Sequence, residues 1–240
     1  MENPERVLVI VAHPDDIDFG AAGTIATWTR QGIEVVYCLV TSGDAGGKDL
    51  SQSFADRSAI REAEQTAAAA VVGVSTIEYL RQHDGRVQNT LELRKDLSRV
   101  IRQYRPDRVL TQSPQFDLDR IYASHPDHLA VGAAALAAVY PDARNPFAHM
   151  SLLEKEGLEP WAVPEVWIMG VLMEPGPQSA VVDITEVFDL KLAALTSHVS
   201  QTGDREGLEE LLRDWGTRQA IAAGLPDGSL AEVFRKVDTK

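Results

Sequence analysis

Two stretches concentrate groups able to hold a cation and move protons: His13-Pro14-Asp15-Asp16 and His125-Pro126-Asp127-His128. Each joins imidazole to carboxylate, follows an apolar run of strand length, and opens a helical pattern. α/β folds place their chemistry at such carboxyl ends of strands. Charges crowded at a helix start repel and desolvate one another unless a cation or substrate compensates them. His13 and Asp16, three residues apart on a turn, are spaced to grip one ion, and His128 would complete a set of two histidines and one carboxylate. Three protein ligands with an open position is the arrangement of catalytic zinc. Iron(II) sites use the same donors, but the extra carboxylate favours hydrolysis, because oxygen activation has no need of a base there.

Asp15 lies next to a ligand but is directed elsewhere, so it is the candidate general base for a water that zinc acidifies toward neutrality. His125, one helical turn before His128, would reach over the ion without binding it, to hold a developing oxyanion or protonate a departing nitrogen. Asp127 would orient one of the imidazoles through its ring N–H, as metal-bound histidines require. Base, ion, acid and orienting carboxylate are the parts needed to hydrolyse an amide. Taken singly, the first stretch also reads as a helix N-cap cluster and the second as a solvated loop. Their joint occurrence, each after a strand, argues for one site.

The elements that must position them follow from the apolar pattern. Strands are expected at Val7–Val11, Glu34–Val40, Thr76–Leu80 and Arg108–Gln112, separated by helices ending near Arg30, spanning Phe54–Val72 and spanning Leu91–Tyr104. A further helix runs over Leu129–Tyr140. Pro141 to Pro164 reads as an irregular excursion and candidate lid. Strands at Glu165–Met173 and Ala180–Ile184, joined by the turn Glu174-Pro175-Gly176-Pro177, are expected to form a hairpin, with helices at Glu186–His198 and Glu209–Ala223. The alternation predicts an α/β fold: a Rossmann-like, mostly parallel sheet with helices on both faces, plus a C-terminal hairpin and helices. No linker divides the chain, so residues 1–240 form one domain.

With 44% apolar and 25% charged residues in 240, the chain has the composition of an ordinary soluble protein with a full core. It has no window of membrane-spanning length and no basic leader. A net charge of −13 without a Lys/Arg block excludes a nucleic-acid partner. Cys38, the only cysteine, sits in an apolar run and reads as a packing thiol in a reducing, cytoplasmic setting. Self-association into a homo-oligomer is left open.

The same residues give a resemblance. Ala12-His13-Pro14-Asp15-Asp16 with Gly20 and Gly23, Thr41 and Gly43, and His125-Pro126-Asp127-His128 resemble the LmbE/PIG-L family of zinc-dependent N-acetyl-sugar deacetylases. The likeness extends to Arg61 and Glu64 before Gly73, and to Lys191 with His198-Val199-Ser200-Gln201. It implies a Rossmann-like layer, His13, Asp16 and His128 as zinc ligands, Asp15 as base, and His125 as acid or oxyanion stabiliser. It also implies a small N-acetylated sugar as substrate, Arg61 on its hydroxyls, and Gly43 and His198 around it. Asp18 replaces the more usual glutamate. Some members carry a tyrosine two residues before the first His of the second motif; here that place is Ala123, with Tyr122 one residue further back. His83 and His149 match nothing and read as surface residues.

Three competing readings are an amidase for a larger amide such as a thiol-sugar conjugate, a non-catalytic metal protein, and a nucleotide-binding module. The last requires a glycine-rich loop after the first strand, where this chain has carboxylates that would repel a pyrophosphate.

Overall fold

The computed structural model describes residues 4–118, 121–170 and 176–239. Strand and helix alternate as β1 (Arg6–Val11), α1 (Asp16–Arg30), β2 (Glu34–Thr41), α2 (Phe54–Val71), β3 (Thr76–Gln82), α3 (Leu91–Tyr104), β4 (Arg108–Gln112) and α4 (Pro126–Ala137). Then come α5 (Met150–Glu156), β5 (Glu165–Met169), β6 (Ser179–Asp183), α6 (Phe188–Thr196), α7 (Val199–Thr202), α8 (Leu208–Ala222) and β7 (Ala231–Asp238). The strands form one sheet in the order β3-β2-β1-β4-β5-β7-β6. β1 pairs in parallel with both β2 and β4, and β5 extends the parallel run.

The strands' continuous apolar character is that of a parallel sheet covered on both sides. Along β1, Val7, Val9 and Val11 face a core with α1, α2, α6 and α8, whereas Leu8 and Ile10 face a second core with α3 and α4. Cys38 lies fully buried in that second core, and burial pushes its thiol pKa well up, as expected of a packing thiol.

The expected C-terminal hairpin is not formed. β7 lies between β5 and β6 and runs antiparallel to both, so the two strands never meet. Glu232, Arg235, Lys236 and Asp238 make β7 half polar, which hid it from an apolar pattern. The expected strand end over 171–173 and the Glu174-Pro175 part of the turn lie outside the described residues, as does Asp119.

The excursion over 141–164 is likewise ordered, with α5 inside it, and is tied to α3. Buried Arg102 donates to the carbonyls of Asp142, Ala143, Asn145 and Ala148, while Arg94 pairs with Asp142 and Arg99 with Glu156. His149, expected at the surface, is half-buried against Asp142 at 3.3 Å. Among the described residues no helix is long and apolar enough to cross a membrane.

Gly132 lets α4 approach the end of β4: a Cβ there would stand 2.4 Å from the Gln112 carbonyl oxygen. Gly132→Ala is therefore expected to cost about 1–3 kcal/mol by overpacking, read as a lower denaturant midpoint at unchanged slope.

Candidate metal centre and active site

β1 and β4 are neighbours, yet α1 leaves to one face of the sheet and α4 to the other, so a crevice opens between their carboxyl ends. At the first edge the chain reverses through Asp15, whose φ of 86° lies in the left-handed region. Asp tolerates that conformation better than most residues. The Asp15 carbonyl accepts from Asp18 and Phe19 to start α1, and His13 N donates to Asp16 Oδ2 at 2.7 Å. At the second edge His125 caps α4, its Nδ1 accepting from Asp127 N at 3.2 Å, with Pro126 in the first turn where no N–H is needed.

These two edges bring the three expected ligands together. His13 Nδ1 lies 3.2 Å from His128 Nε2 and 3.3 Å from Asp16 Oδ2, and His128 Nε2 lies 3.0 Å from Asp16 Oδ1. A tetrahedral zinc with bonds of about 2.0–2.1 Å requires ligand atoms about 3.3 Å apart, close to these spacings, in which each imidazole faces a different oxygen of the Asp16 carboxylate. The other nitrogen of His13 faces away: Nε2 lies 3.0 Å from Asp84 Oδ1 and 3.1 Å from Asp127 Oδ2. Asp84 and Asp127 are so placed that a proton held there would leave Nδ1 as a bare donor. Asp127 is itself fixed by the N–H groups of Gly85 and Val87.

The electrostatics also ask for a cation. Burial disfavours the charged form of His13, but Asp16, Asp127 and Asp84 outweigh it and hold its pKa up at about 12. Burial opposes ionisation of Asp16, yet His128 and His13 hold its pKa well below the usual carboxylate range. Asp15 behaves oppositely. Burial lifts it to about 6, reinforced by Asp16 and opposed by Arg61. A carboxyl poised near neutrality is suited to take a proton. Burial and the imidazoles of His13 and His128 lower the pKa of His125, so its ring is neutral, and with Nδ1 accepting, the proton sits on Nε2.

A cavity of about 680 Å³ begins at Asp16 and His128 and extends past Tyr122 and Met169 to Trp215 on α8. None of Arg61, Gly43 and His198, expected around the substrate, lines it, and neither do His13, Asp15 and His125, which lie behind Asp16 and His128. Arg61 is buried and donates to Asp15 Oδ2 at 3.0 Å, Pro14 O at 2.5 Å and Gly43 O at 3.3 Å. Gly43 sits beneath it at φ 67°, where a Cβ would meet the guanidinium. His198 is fully buried on Asp18 at 2.8 Å, so its expected place on the pocket wall is corrected to one behind it. The excursion over 141–164 contributes nothing to the cavity either and is not its lid. Tyr122 is exposed at the cavity, and His83 is exposed and paired with Asp44.

Two neighbours of the site escaped the sequence analysis. Asp84, on His13, follows β3 in an Asp-Gly turn at the same sheet edge, and that placement was the available signal. Gln65, in the middle of α2, accepts from Asp15 N at 3.0 Å, and nothing in an alanine-rich helix marks it.

A family model described as PIG-L, GlcNAc-PI de-N-acetylase, matches residues 8–139. The diacetylchitobiose deacetylase of Thermococcus kodakarensis is 35% identical over 197 residues, covering 82% of this chain and 70% of its own. The chain belongs to the PIG-L family. A probable N-acetyl-alpha-D-glucosaminyl L-malate deacetylase 2 of Bacillus cereus is 33% identical over 208 residues, covering 82% and 84%. Among solved structures, the N,N'-diacetylchitobiose deacetylase of Pyrococcus horikoshii superposes with a TM-score of 0.89 at 31% identity, covering 99% of this chain and 85% of the other. The α/β fold expected from the strand and helix pattern is that of these deacetylases. PIG-L deacetylases are metal-dependent hydrolases of N-acetyl amide bonds, and this member carries a His/Asp cluster able to hold the ion.

Orienting carboxylates behind a metal-bound histidine are worth about 10–100-fold in affinity. Asp127→Ala is expected to weaken zinc binding by about that factor, measured by competition with a chromogenic chelator, while Asp84 retains part of the restraint on Nε2.

Proposed function

We propose that the chain is a zinc-dependent N-deacetylase of an N-acetylglucosamine-type sugar or glycoconjugate, releasing free amine and acetate. The observation that carries this reading is the ligand triangle of His13, Asp16 and His128, open to a large cavity and flanked by a carboxyl held near neutrality. A bound zinc ion would supply Lewis-acid polarisation of the amide carbonyl and a water acidified toward neutral pH. Asp15 takes the proton of the attacking water. The neutral His125 presents Nε2–H, the donor available to the developing oxyanion and then to the departing nitrogen. Asp127 and Asp84 keep His13 in the tautomer that presents Nδ1. The lone buried thiol suits a reducing compartment, and we place this single-domain enzyme in the cytoplasm.

The test is amine release from N-acetylglucosamine, N,N'-diacetylchitobiose and N-acetylglucosaminyl malate by protein loaded separately with zinc and with iron(II). Amine release by the zinc form on at least one sugar is expected. A fully zinc-loaded protein that releases none from any of them overturns the proposal.

A further inference from the structure

We infer that Gln65 is a positioning residue for the reaction: with Asp18 and His198 it holds Asp15 in the left-handed backbone conformation that sets its carboxylate beside the metal ligands. The inference rests on Asp15 being the base. A non-glycine residue at φ 86° is strained and persists only where its surroundings over-determine it. Its N–H lies outside the α1 ladder and needs an acceptor of its own. Gln65 Oε1 supplies that acceptor at 3.0 Å.

The amide is in turn held from its other end. Gln65 Nε2 donates to Asp18 Oδ2 at 3.0 Å, and the same oxygen meets His198 Nε2 at 2.8 Å. All three side chains are fully buried and none lines the cavity, so this chain of contacts touches no substrate. The amide accepts from the Asp15 N–H with one end and donates to the Asp18 carboxylate with the other, without adding charge. One helical turn earlier on α2, Arg61 takes the Asp15 side chain. The helix thus fixes the base at two points, main chain through Gln65 and carboxylate through Arg61.

The test uses Gln65→Met, which keeps length but has neither amide group, in the zinc-loaded enzyme. Displacing a reacting group by about 1 Å costs on the order of 100-fold. The expected result is a kcat lower by about that factor, with KM and zinc stoichiometry within twofold of the parent. In an Asp15→Asn background, Gln65→Met is expected to change the residual rate by less than twofold, because there is no base left to position. An unimpaired kcat, a loss appearing in KM, or an equal loss in the Asp15→Asn background overturns the inference. Gln65→Asn, which keeps both groups one methylene short, carries the same measurements should the methionine variant not fold. An Asp15→Asn enzyme with full turnover sinks the base assignment itself. A crippled Asp15→Asn beside an unimpaired Gln65→Met sinks only the positioning role.

Discussion

Asp15→Asn is expected to keep one zinc per chain and to lose about 10²–10⁴-fold in turnover, the usual worth of a placed general base. Asp15 is not one of the three groups that form the ligand triangle, so removing its charge leaves those donors intact. Asparagine preserves both the size of the side chain and its tolerance of the left-handed backbone that opens α1. The signs are opposite for binding and rate: metal content unchanged, kcat collapsed. The pH profile adds a second readout. As the proposed base Asp15 would act only when ionised, and its pKa without the ion is about 6, so kcat/KM is expected to fall on the acid side at or below that value. A bound dication moves the limb lower still, and in Asp15→Asn the limb disappears. A variant that keeps its turnover would end the assignment.

His128→Ala is expected to abolish both zinc retention and turnover, measured as metal content after gel filtration and as amine release. It leaves His13 and Asp16 as the only members of the triangle, one short of the three protein ligands of a catalytic zinc site. His13→Ala is the less clean choice, because it would also strip the half-buried Asp84 and the buried Asp127 of their imidazole partner. In the parent enzyme His13 makes zinc uptake pH-dependent. Its pKa of about 12 means that the ion-free site carries a proton there through the neutral range. Zinc must expel it, so apparent affinity rises about tenfold per pH unit, with one proton released per ion. Calorimetry in buffers of different ionisation enthalpy reads that proton directly, and a pH-independent affinity contradicts the assignment of Nδ1 as a donor.

The proposed ligands could be picked out in the sequence because they sit in two His-Pro-Asp motifs that open helices on the carboxyl side of buried strands. Val7 to Val11 and Arg108 to Gln112 announce two buried strands; the first hands the chain directly to a His-Pro-Asp turn, and the second does so after the loop that ends at Ser124. What supports the site was not legible, because it is assembled across elements. Asp84 arrives from β3, at the far end of the strand order, and Gln65 from mid-helix, where a polar residue ordinarily faces water. The resemblance pointed Arg61 and His198 at the substrate; in the fold each is paired with a carboxylate, Asp15 and Asp18. The C-terminal order failed for a different reason. Adjacency in sequence suggested a hairpin of β5 and β6, whereas the half-polar β7, last in the chain, separates them in the sheet.

The crevice between β1 and β4 has a consequence for biosynthesis. As the polypeptide leaves the ribosome, His13 and Asp16 emerge long before His128, and the early pair alone offers an ion only a weak foothold. The three groups converge only once β4 has docked beside β1, after α1, β2, α2, β3 and α3 have been made. Capture of an ion by all three groups therefore waits until the chain has grown past His128 and β4 has paired with β1.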